Sequence, residues 1–149
     1  MIDPNARRLA ELAPKIMSAF HDLGRQHPAD AKLSMRQFQA LLLLSVNKRL
    51  SLSAMCEKLS LAPSTGTELA NRLISMTYIK KEGESTDRRQ QILSLTQKGV
   101  ELVHERQKIL SEMFSKFLAP FTVDDKEGFV NAFEDIYLLI EKYHRKQTL

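Results

Sequence analysis

The amino-acid sequence predicts a mainly α-helical protein with one small β-hairpin. Near both termini, apolar residues recur every three or four positions, as they do along one side of an amphipathic helix. In the middle of the chain, a short helix, a three-residue joint and a second helix precede a polar run flanked by β-prone residues. A length of 149 residues suits one domain, or two small lobes that share a core.

Net charge, apolar stretches and cysteine content indicate which partners and which cellular location to expect. A formal net charge of +4 favours a polyanionic partner only weakly, because the position of the cations matters more than their number. Polar residues from Asp3 to Arg8 precede the first apolar run, so no secretory signal is expected. The most apolar stretch, Phe38 to Val46, is too short to span a bilayer. The single cysteine, Cys56, cannot form an internal disulfide, and we therefore predict a cytoplasmic protein without membrane attachment.

The first predicted helix runs from Ala6 to about His27 and ends at Pro28. His21 and His27 are six residues apart, not the three or four that would place two ligands on one helical face. No metal site is predicted here, since such a site needs three or more converging ligands. One apolar stripe defines the helix: Leu9, Leu12, Ile16, Phe20 and Leu23.

The second predicted helix, Met35 to about Val46, is expected to lie in the middle of the fold. Ser34 suits its N-cap, with Gln37 as the partner in a capping box. Its apolar residues lie on more than one side, which is typical of a buried helix. Lys48 and Arg49 then form a polar joint.

A short third helix is capped by Ser51 and has one apolar face. Cys56 lies on this face, which predicts a packing role rather than a redox role, since nothing nearby in sequence would lower its pKa. The face consists of Leu52, Met55, Cys56 and Leu59.

The fourth helix follows the joint Ser60 to Ala62 and begins at Pro63, which suits a first helical turn. The next residues, 64–67, are small and mostly hydroxyl-bearing, as expected of a helix end that approaches a partner closely and hydrogen-bonds to it. A buried stripe is predicted at Leu69, Leu73 and Met76. Two helices at this spacing are typical of a helix-turn-helix, whose second helix enters the DNA major groove.

A β-hairpin is predicted directly after this helix, with strands at Tyr78 to Glu82 and Gln90 to Leu95. Gly83 and a polar run ending at Arg89 separate the strands. A recognition helix followed by a two-stranded wing with a charged tip is a winged helix. The expected partner is double-stranded DNA.

Two long helices complete the predicted fold: Gln97 to about Ala119, introduced by Thr96, and a last helix to about Arg145, capped by Thr122 with Asp125. Their apolar faces, with that of the first helix, are too wide for a soluble monomer and predict a two-fold homodimer. Bundling within one chain remains the alternative. The predicted organisation is an N-terminal dimerisation helix (1–33), a winged helix-turn-helix DNA-binding lobe (34–99) and C-terminal dimerisation helices (100–149).

The chain resembles the MarR family of bacterial winged-helix transcriptional regulators from Leu33 to Leu102, and in its helix pattern out to both termini. The most specific match is Asp87-Arg88-Arg89 followed by Leu93-Ser94-Leu95-Thr96-Gln97-Lys98-Gly99, which is similar to the family's wing tip and the start of its fifth helix. Pro63-Ser64-Thr65-Gly66-Thr67 is similar to the opening of the family's recognition helix.

The resemblance implies a homodimeric, cytoplasmic regulator, a repressor, that binds a pseudopalindromic operator and is released by a small aromatic or phenolic effector. It also implies that Asp87 orients an arginine of the wing. Two positions depart from the family pattern. Thr77 replaces the usual glycine after the recognition helix, and Ala62 replaces a capping serine, which costs about 1 kcal/mol of N-cap stabilisation.

The predicted DNA contacts come from the fourth helix, the wing and the third helix. Asn71 and Arg72 suit adenine and guanine respectively, and the hydroxyls suit phosphates or base edges. Arg88 and Arg89 suit a narrow minor groove or its phosphates. The predicted DNA-binding residues are Ser53, Ser64, Thr65, Thr67, Asn71, Arg72, Lys80, Arg88 and Arg89.

Three other classes of protein remain alternatives to a DNA-binding regulator released by an aromatic or phenolic effector. The sequence has no triad order, phosphate loop or paired carboxylates typical of an enzyme, so no catalytic residue or cofactor is predicted. A metal- or redox-responsive regulator of the same fold is a second reading, although neither His104 nor His144 has a convincing ligand set. The third is a winged-helix module that binds protein without DNA.

Overall fold

The computed structural model describes residues 1–25, 33–83 and 90–147 of the chain. They divide into two units, Met1–Leu110 and Ser111–Leu149. The elements in chain order are α1 (Pro4–Arg25), α2 (Met35–Asn47), β1 (Arg49–Ser51), α3 (Leu52–Lys58), α4 (Pro63–Ser75), β2 (Ile79–Glu82), β3 (Ile92–Leu95), α5 (Gln97–Leu118) and α6 (Val123–Gln147).

The three strands form one antiparallel sheet with β3 between β1 and β2. The predicted hairpin is confirmed, because β2 and β3 pair with Lys81 opposite Leu93. The prediction of a plain polar joint at Lys48 and Arg49 was incomplete, since Arg49 begins β1 and lies opposite Ser94. A three-residue strand is too short to show an alternating pattern, and its pairing with β3 defines it.

The core of the first unit lies where α2, α3, α4 and the sheet meet. The predicted central position of α2 is confirmed, because Leu41 and Leu44 are completely buried. Met55 of α3, Leu73 of α4 and Leu93 of β3 are buried equally deeply. The helix-turn-helix and the wing therefore share one hydrophobic core.

Side-chain caps define the helix starts that the sequence predicted. The Gln37 backbone N–H donates to Ser34 Oγ at 3.2 Å, and the Ser34 N–H donates back to Gln37 Oε1 at 2.9 Å, which completes the capping box. Ser51 Oγ accepts from the Ala54 N–H at 3.0 Å. Ala62 makes no side-chain cap, as expected from its methyl group.

The buried stripe of α4 differs from the prediction. Gly66, Ala70 and Leu73 are its buried residues, whereas Leu69 and Met76 are only partly buried. A Cβ added at Gly66 would lie 2.1 Å from Cys56 Sγ, so glycine allows α3 and α4 to approach closely. Small residues in this stripe have a packing role that hydrophobicity alone does not indicate.

Cys56 packs in the core, as predicted, and is 7% exposed. Burial raises the pKa of its thiol, which lowers the fraction of reactive thiolate near neutral pH. The structure therefore gives no support to a redox response at this residue.

The end of α4 has the strained backbone expected from the replacement of glycine by Thr77. Thr77 has a φ of 62°, in the left-handed region that favours glycine. The Tyr78 N–H donates to the Leu73 carbonyl at 3.0 Å, and the Thr77 N–H donates to the Ile74 carbonyl at 2.9 Å. These are the two bonds of a Schellman C-cap, a motif that usually places glycine at this position.

Replacing Thr77 by glycine is expected to increase the free energy of unfolding by about 0.5–1 kcal/mol. The left-handed conformation costs a residue with a Cβ about 1–2 kcal/mol. Part of the gain is offset by the greater chain entropy that glycine loses on folding and by the loss of the exposed hydrogen bond from Lys98 Nζ to Thr77 Oγ1. Urea denaturation would measure the change. Thr65→Gly, in the first turn of α4, is the control and should lose stability; a destabilised Thr77→Gly would contradict the assignment of strain.

The second unit contains the end of α5 and all of α6. The Phe117 ring centroid lies 5.3 Å from that of Phe121 and 5.2 Å from that of Phe129, and the Phe129 and Phe133 centroids are 5.0 Å apart. These aromatic contacts tie the end of α5 to the first half of α6. At the helix start, the Asp125 N–H donates to Thr122 Oγ1 at 3.2 Å, which confirms the predicted cap.

Apolar residues are widely exposed on α1 and α6. Large side chains of α1, among them Leu9 and Ile16, are 63% and 49% exposed. On α6, Ile136 and Ile140 are 53% and 49% exposed, and the residues between them are also apolar and exposed. In the part of the chain that is described, no helix combines the length and the apolar character needed to cross a membrane.

Candidate nucleic-acid interface

One face of α4 is polar and exposed, while the opposite face is buried in the core. The exposed side chains recur at helical spacing and so share a face, which the buried residues Gly66, Ala70 and Leu73 oppose. The polar face, as we call it below, comprises the exposed residues Ser64, Glu68, Asn71, Arg72 and Ser75 and the half-buried Thr67.

The polar face lines an open groove of about 790 Å³. Gln37 of α2 and Met76, at the end of α4, complete the lining. The groove brings together four of the predicted DNA-binding residues: Ser64, Thr67, Asn71 and Arg72. The hydrogen-bond donors and acceptors of the polar face can therefore make polar contacts with another molecule.

Hydrogen bonds within α4 order several of these side chains. Thr67 Oγ1 donates to the Pro63 carbonyl at 2.8 Å, and Ser75 Oγ donates to the Asn71 carbonyl at 3.0 Å. Each hydroxyl oxygen retains lone pairs that can accept a hydrogen bond from a base or a side chain.

Arg72 is already part of an ion pair on the polar face. Its Nη2 lies 3.1 Å from Glu68 Oε1, and the two side chains are 67% and 68% exposed. An exposed pair of this kind contributes only about 0.3–0.5 kcal/mol. Arg72 can therefore exchange Glu68 for a stronger acceptor at little cost.

The other predicted residues lie outside the groove or outside the described part of the chain. Thr65 is exposed on α4, and Ser53 is exposed in the first turn of α3. Lys80 is exposed on β2, opposite Ser94 in the central strand. Three residues assigned to the wing tip, Asp87, Arg88 and Arg89, lie outside the described residues.

Four residues of the groove were not among the predicted site residues: Gln37, Glu68, Ser75 and Met76. Ser75 lies four positions after Asn71, so helical spacing could have placed it on the same face. Gln37 carried no such signal, because it reaches the groove from α2 through the packing of two helices. Its capping bond to the Ser34 N–H was predicted, and its position in the groove was not.

The described residues hold no group of three or more histidine, cysteine, aspartate or glutamate side chains arranged to bind a metal. The polar face carries hydroxyl, amide, carboxylate and guanidinium groups. Such groups bind by hydrogen bonding and charge.

A helix-turn-helix with an exposed polar second helix, joined to a small antiparallel sheet, defines a winged-helix protein. The chain belongs to the SarA/Rot family of transcriptional regulators, whose family model matches residues 25–106.

Relatives are similar to the chain in sequence, and solved structures are similar to it in fold. The chain is 25% identical, over 142 residues, to an uncharacterised HTH-type transcriptional regulator of Mycobacterium leprae, and the match covers 95% of this chain and 99% of the relative. The structural likeness to MarR regulators confirms the predicted fold. A mutant of MarR from E. coli in complex with operator DNA superposes with a TM-score of 0.64 at 15% identity, covering 91% of this chain and 99% of MarR.

A further similar structure is that of BpsR from Bordetella bronchiseptica, whose DNA binding is regulated by 6-hydroxynicotinic acid. It superposes with a TM-score of 0.66 at 18% identity and covers 87% of this chain and 98% of BpsR. At these identities the likeness establishes the fold alone.

Proposed function

We propose that this protein is a homodimeric, sequence-specific DNA-binding repressor that inserts α4 into the major groove of a pseudopalindromic operator. The observation that carries this proposal is the division of α4 into a buried apolar side and an exposed polar face of hydrogen-bonding residues. In a helix-turn-helix, this is the face that meets base edges and phosphates.

Within the polar face, Asn71 and Arg72 are the base-reading residues. An asparagine amide suits adenine, and a guanidinium suits guanine, because each presents two hydrogen-bonding atoms to two on the base. To bind guanine, Arg72 breaks its ion pair with Glu68. The negative charge of Glu68 then repels DNA phosphates that lie out of register. Ser64, Thr65 and Thr67 contact phosphates or base edges from the first half of α4.

Residues outside α4 position the protein on the duplex. Lys80 and Ser53 are exposed and suit phosphate contacts, which set register without reading sequence. Arg88 and Arg89 are assigned to the minor groove or its phosphates, with Asp87 orienting an arginine. Their assignment rests on the sequence resemblance.

Dimerisation through the terminal helices would present two copies of α4 to successive major grooves. The support is the exposed apolar surface of α1 and α6, which is more than a lone soluble chain usually carries. We also propose release from DNA by a small aromatic or phenolic acid, in parallel with the 6-hydroxynicotinic acid named for BpsR.

Replacing Asn71 by alanine is expected to relax base preference at one position of each half-site, with a loss of about 1–3 kcal/mol of discrimination. Selection of bound sequences from random duplex DNA, carried out with the parent and the variant, would measure this. Asn131→Ala, which removes an exposed asparagine from α6, is the matched control and should leave the selected sequence unchanged. Identical selected sequences from parent and Asn71→Ala would refute the base-reading role.

A further inference from the structure

The C-terminal end of α4 and the first turn of α5 are held together by hydrogen bonds between residues distant in sequence. Thr96 Oγ1 donates to the Thr77 carbonyl at 2.6 Å, and the Thr96 N–H donates to the Tyr78 carbonyl at 3.0 Å. A Cβ added at Gly99 would lie 2.1 Å from the Tyr78 carbonyl oxygen. The two backbones therefore meet without room for a side chain. We call residues 76–78 and 96–99 the α4–α5 joint.

Lys98 crosses this joint with its side chain. Its Nζ donates to the Met76 carbonyl and to Thr77 Oγ1, at 3.1 Å each. The same ammonium lies 4.8 Å from the centroid of the Tyr78 ring. Three neighbouring residues therefore fix the position of one cation.

The contact with Met76 connects Lys98 to the polar face. Met76 is the C-cap of α4, where carbonyl groups lack helical partners and a positive charge is favourable. Met76 also lines the groove beside Asn71 and Arg72. A change in the position of Met76 would therefore change the presentation of the two base-reading residues.

We propose that Lys98 is a positioning residue that fixes the end of α4 against the start of α5 and so sets the orientation of the polar face. This inference rests on the proposed role of α4 in reading DNA. Lys98 acts through Met76 and Thr77, and its ammonium does not itself bind DNA.

Lys98→Met tests the proposal, because it keeps most of the side-chain length and removes the charge and the donor. We expect the ratio of affinities for the selected operator and for random duplex to fall about 10-fold, while the slope of binding against salt concentration stays unchanged. Lys98→Arg, which keeps a cation and donors, should restore most of the ratio. Lys108→Met, an equal loss of charge further along α5, should leave the ratio at the parental value.

Hydrogen exchange provides a readout that does not depend on DNA. In Lys98→Met, the amides of Met76, Thr77 and Tyr78 should exchange about 10-fold faster than in the parent, with the rest of the core unchanged. If the parent binds no duplex, the proposed function fails, and exchange at these three amides still decides the role of Lys98.

Three results would overturn the proposal. The first is unchanged exchange at the joint. The second is faster exchange throughout the core with an unchanged affinity ratio, which would indicate a role in stability alone. The third is an equal loss of affinity for both duplexes with a salt slope reduced by about one, which would make Lys98 a phosphate contact.

Discussion

Replacing Gly99 by alanine is expected to lower the free energy of unfolding by about 2–3 kcal/mol. The added Cβ would lie 2.1 Å from the Tyr78 carbonyl oxygen and 3.1 Å from its carbonyl carbon. These are backbone atoms, and the carbonyl accepts the Thr96 N–H at 3.0 Å, so it cannot turn away without losing that bond. Alanine gains about 1 kcal/mol in helix propensity, which offsets only part of the strain.

Chemical denaturation of the purified variant would measure this effect, and α6 provides a matched control. Gly128 is also a helical glycine, but a Cβ there would meet nothing within 4 Å. Gly128→Ala should therefore increase the free energy of unfolding by about 1 kcal/mol. If both variants shifted stability in the same direction, the close approach of Tyr78 to Gly99 would not be the controlling factor.

Replacing Ile136 and Ile140 together by glutamate is expected to convert the proposed dimer to a monomer and to reduce operator affinity by about 100-fold or more. The two side chains are 53% and 49% exposed in one protomer. Burying an isoleucine contributes about 1.5–3 kcal/mol, whereas burying an unpaired carboxylate is unfavourable by several kcal/mol. A two-fold interface contains each substitution twice, so the penalties add.

Sedimentation velocity at micromolar concentration would report the change in mass, and a duplex-binding titration would report the affinity. Asn131→Glu adds a charge on the other side of α6 and serves as the control, with dimer and affinity expected to persist. A double variant that still sediments as a dimer would exclude this face from the interface.

The sequence predicted the elements whose signals are local. Helix starts were predicted correctly because capping depends on residues within one turn. The residues that marked these starts are Ser34 with Gln37, Ser51, Pro63 and Thr96. The unfavourable C-cap conformation of Thr77 was expected from the family resemblance, because the family usually has glycine at this position. Elements that depend on partners distant in sequence were harder to predict.

Strand β1 and the buried stripe of α4 belong to that second group. Arg49 to Ser51 become a strand through pairing with β3, some forty residues later. Gly66 was grouped with the small residues expected to approach a partner molecule, yet its size is what allows α3 and α4 to approach each other. Hydrophobicity predicts which residues are buried, but the distance between two packed helices depends on the side chains of both helices.

For the candidate site, the sequence predicted the residues of α4 and missed the contact between helices. Asn71 and Arg72 followed from helical spacing, and the groove contains both. Gln37 could not be placed there without the packing of α2. The ion pair of Arg72 with Glu68 was not predicted, although a spacing of four residues on one helix favours it. The contacts of Lys98 with Met76 and Thr77 depend on the fold in the same way.

Selection of bound sequences from random duplex DNA with the unmodified protein tests the central claim most directly. We expect enrichment of a pseudopalindrome whose half-site centres are about 10 base pairs apart, as required by two copies of α4 in successive major grooves. Recovery of unenriched sequence, or of a single half-site without its inverted copy, would contradict a dimer that reads DNA through α4.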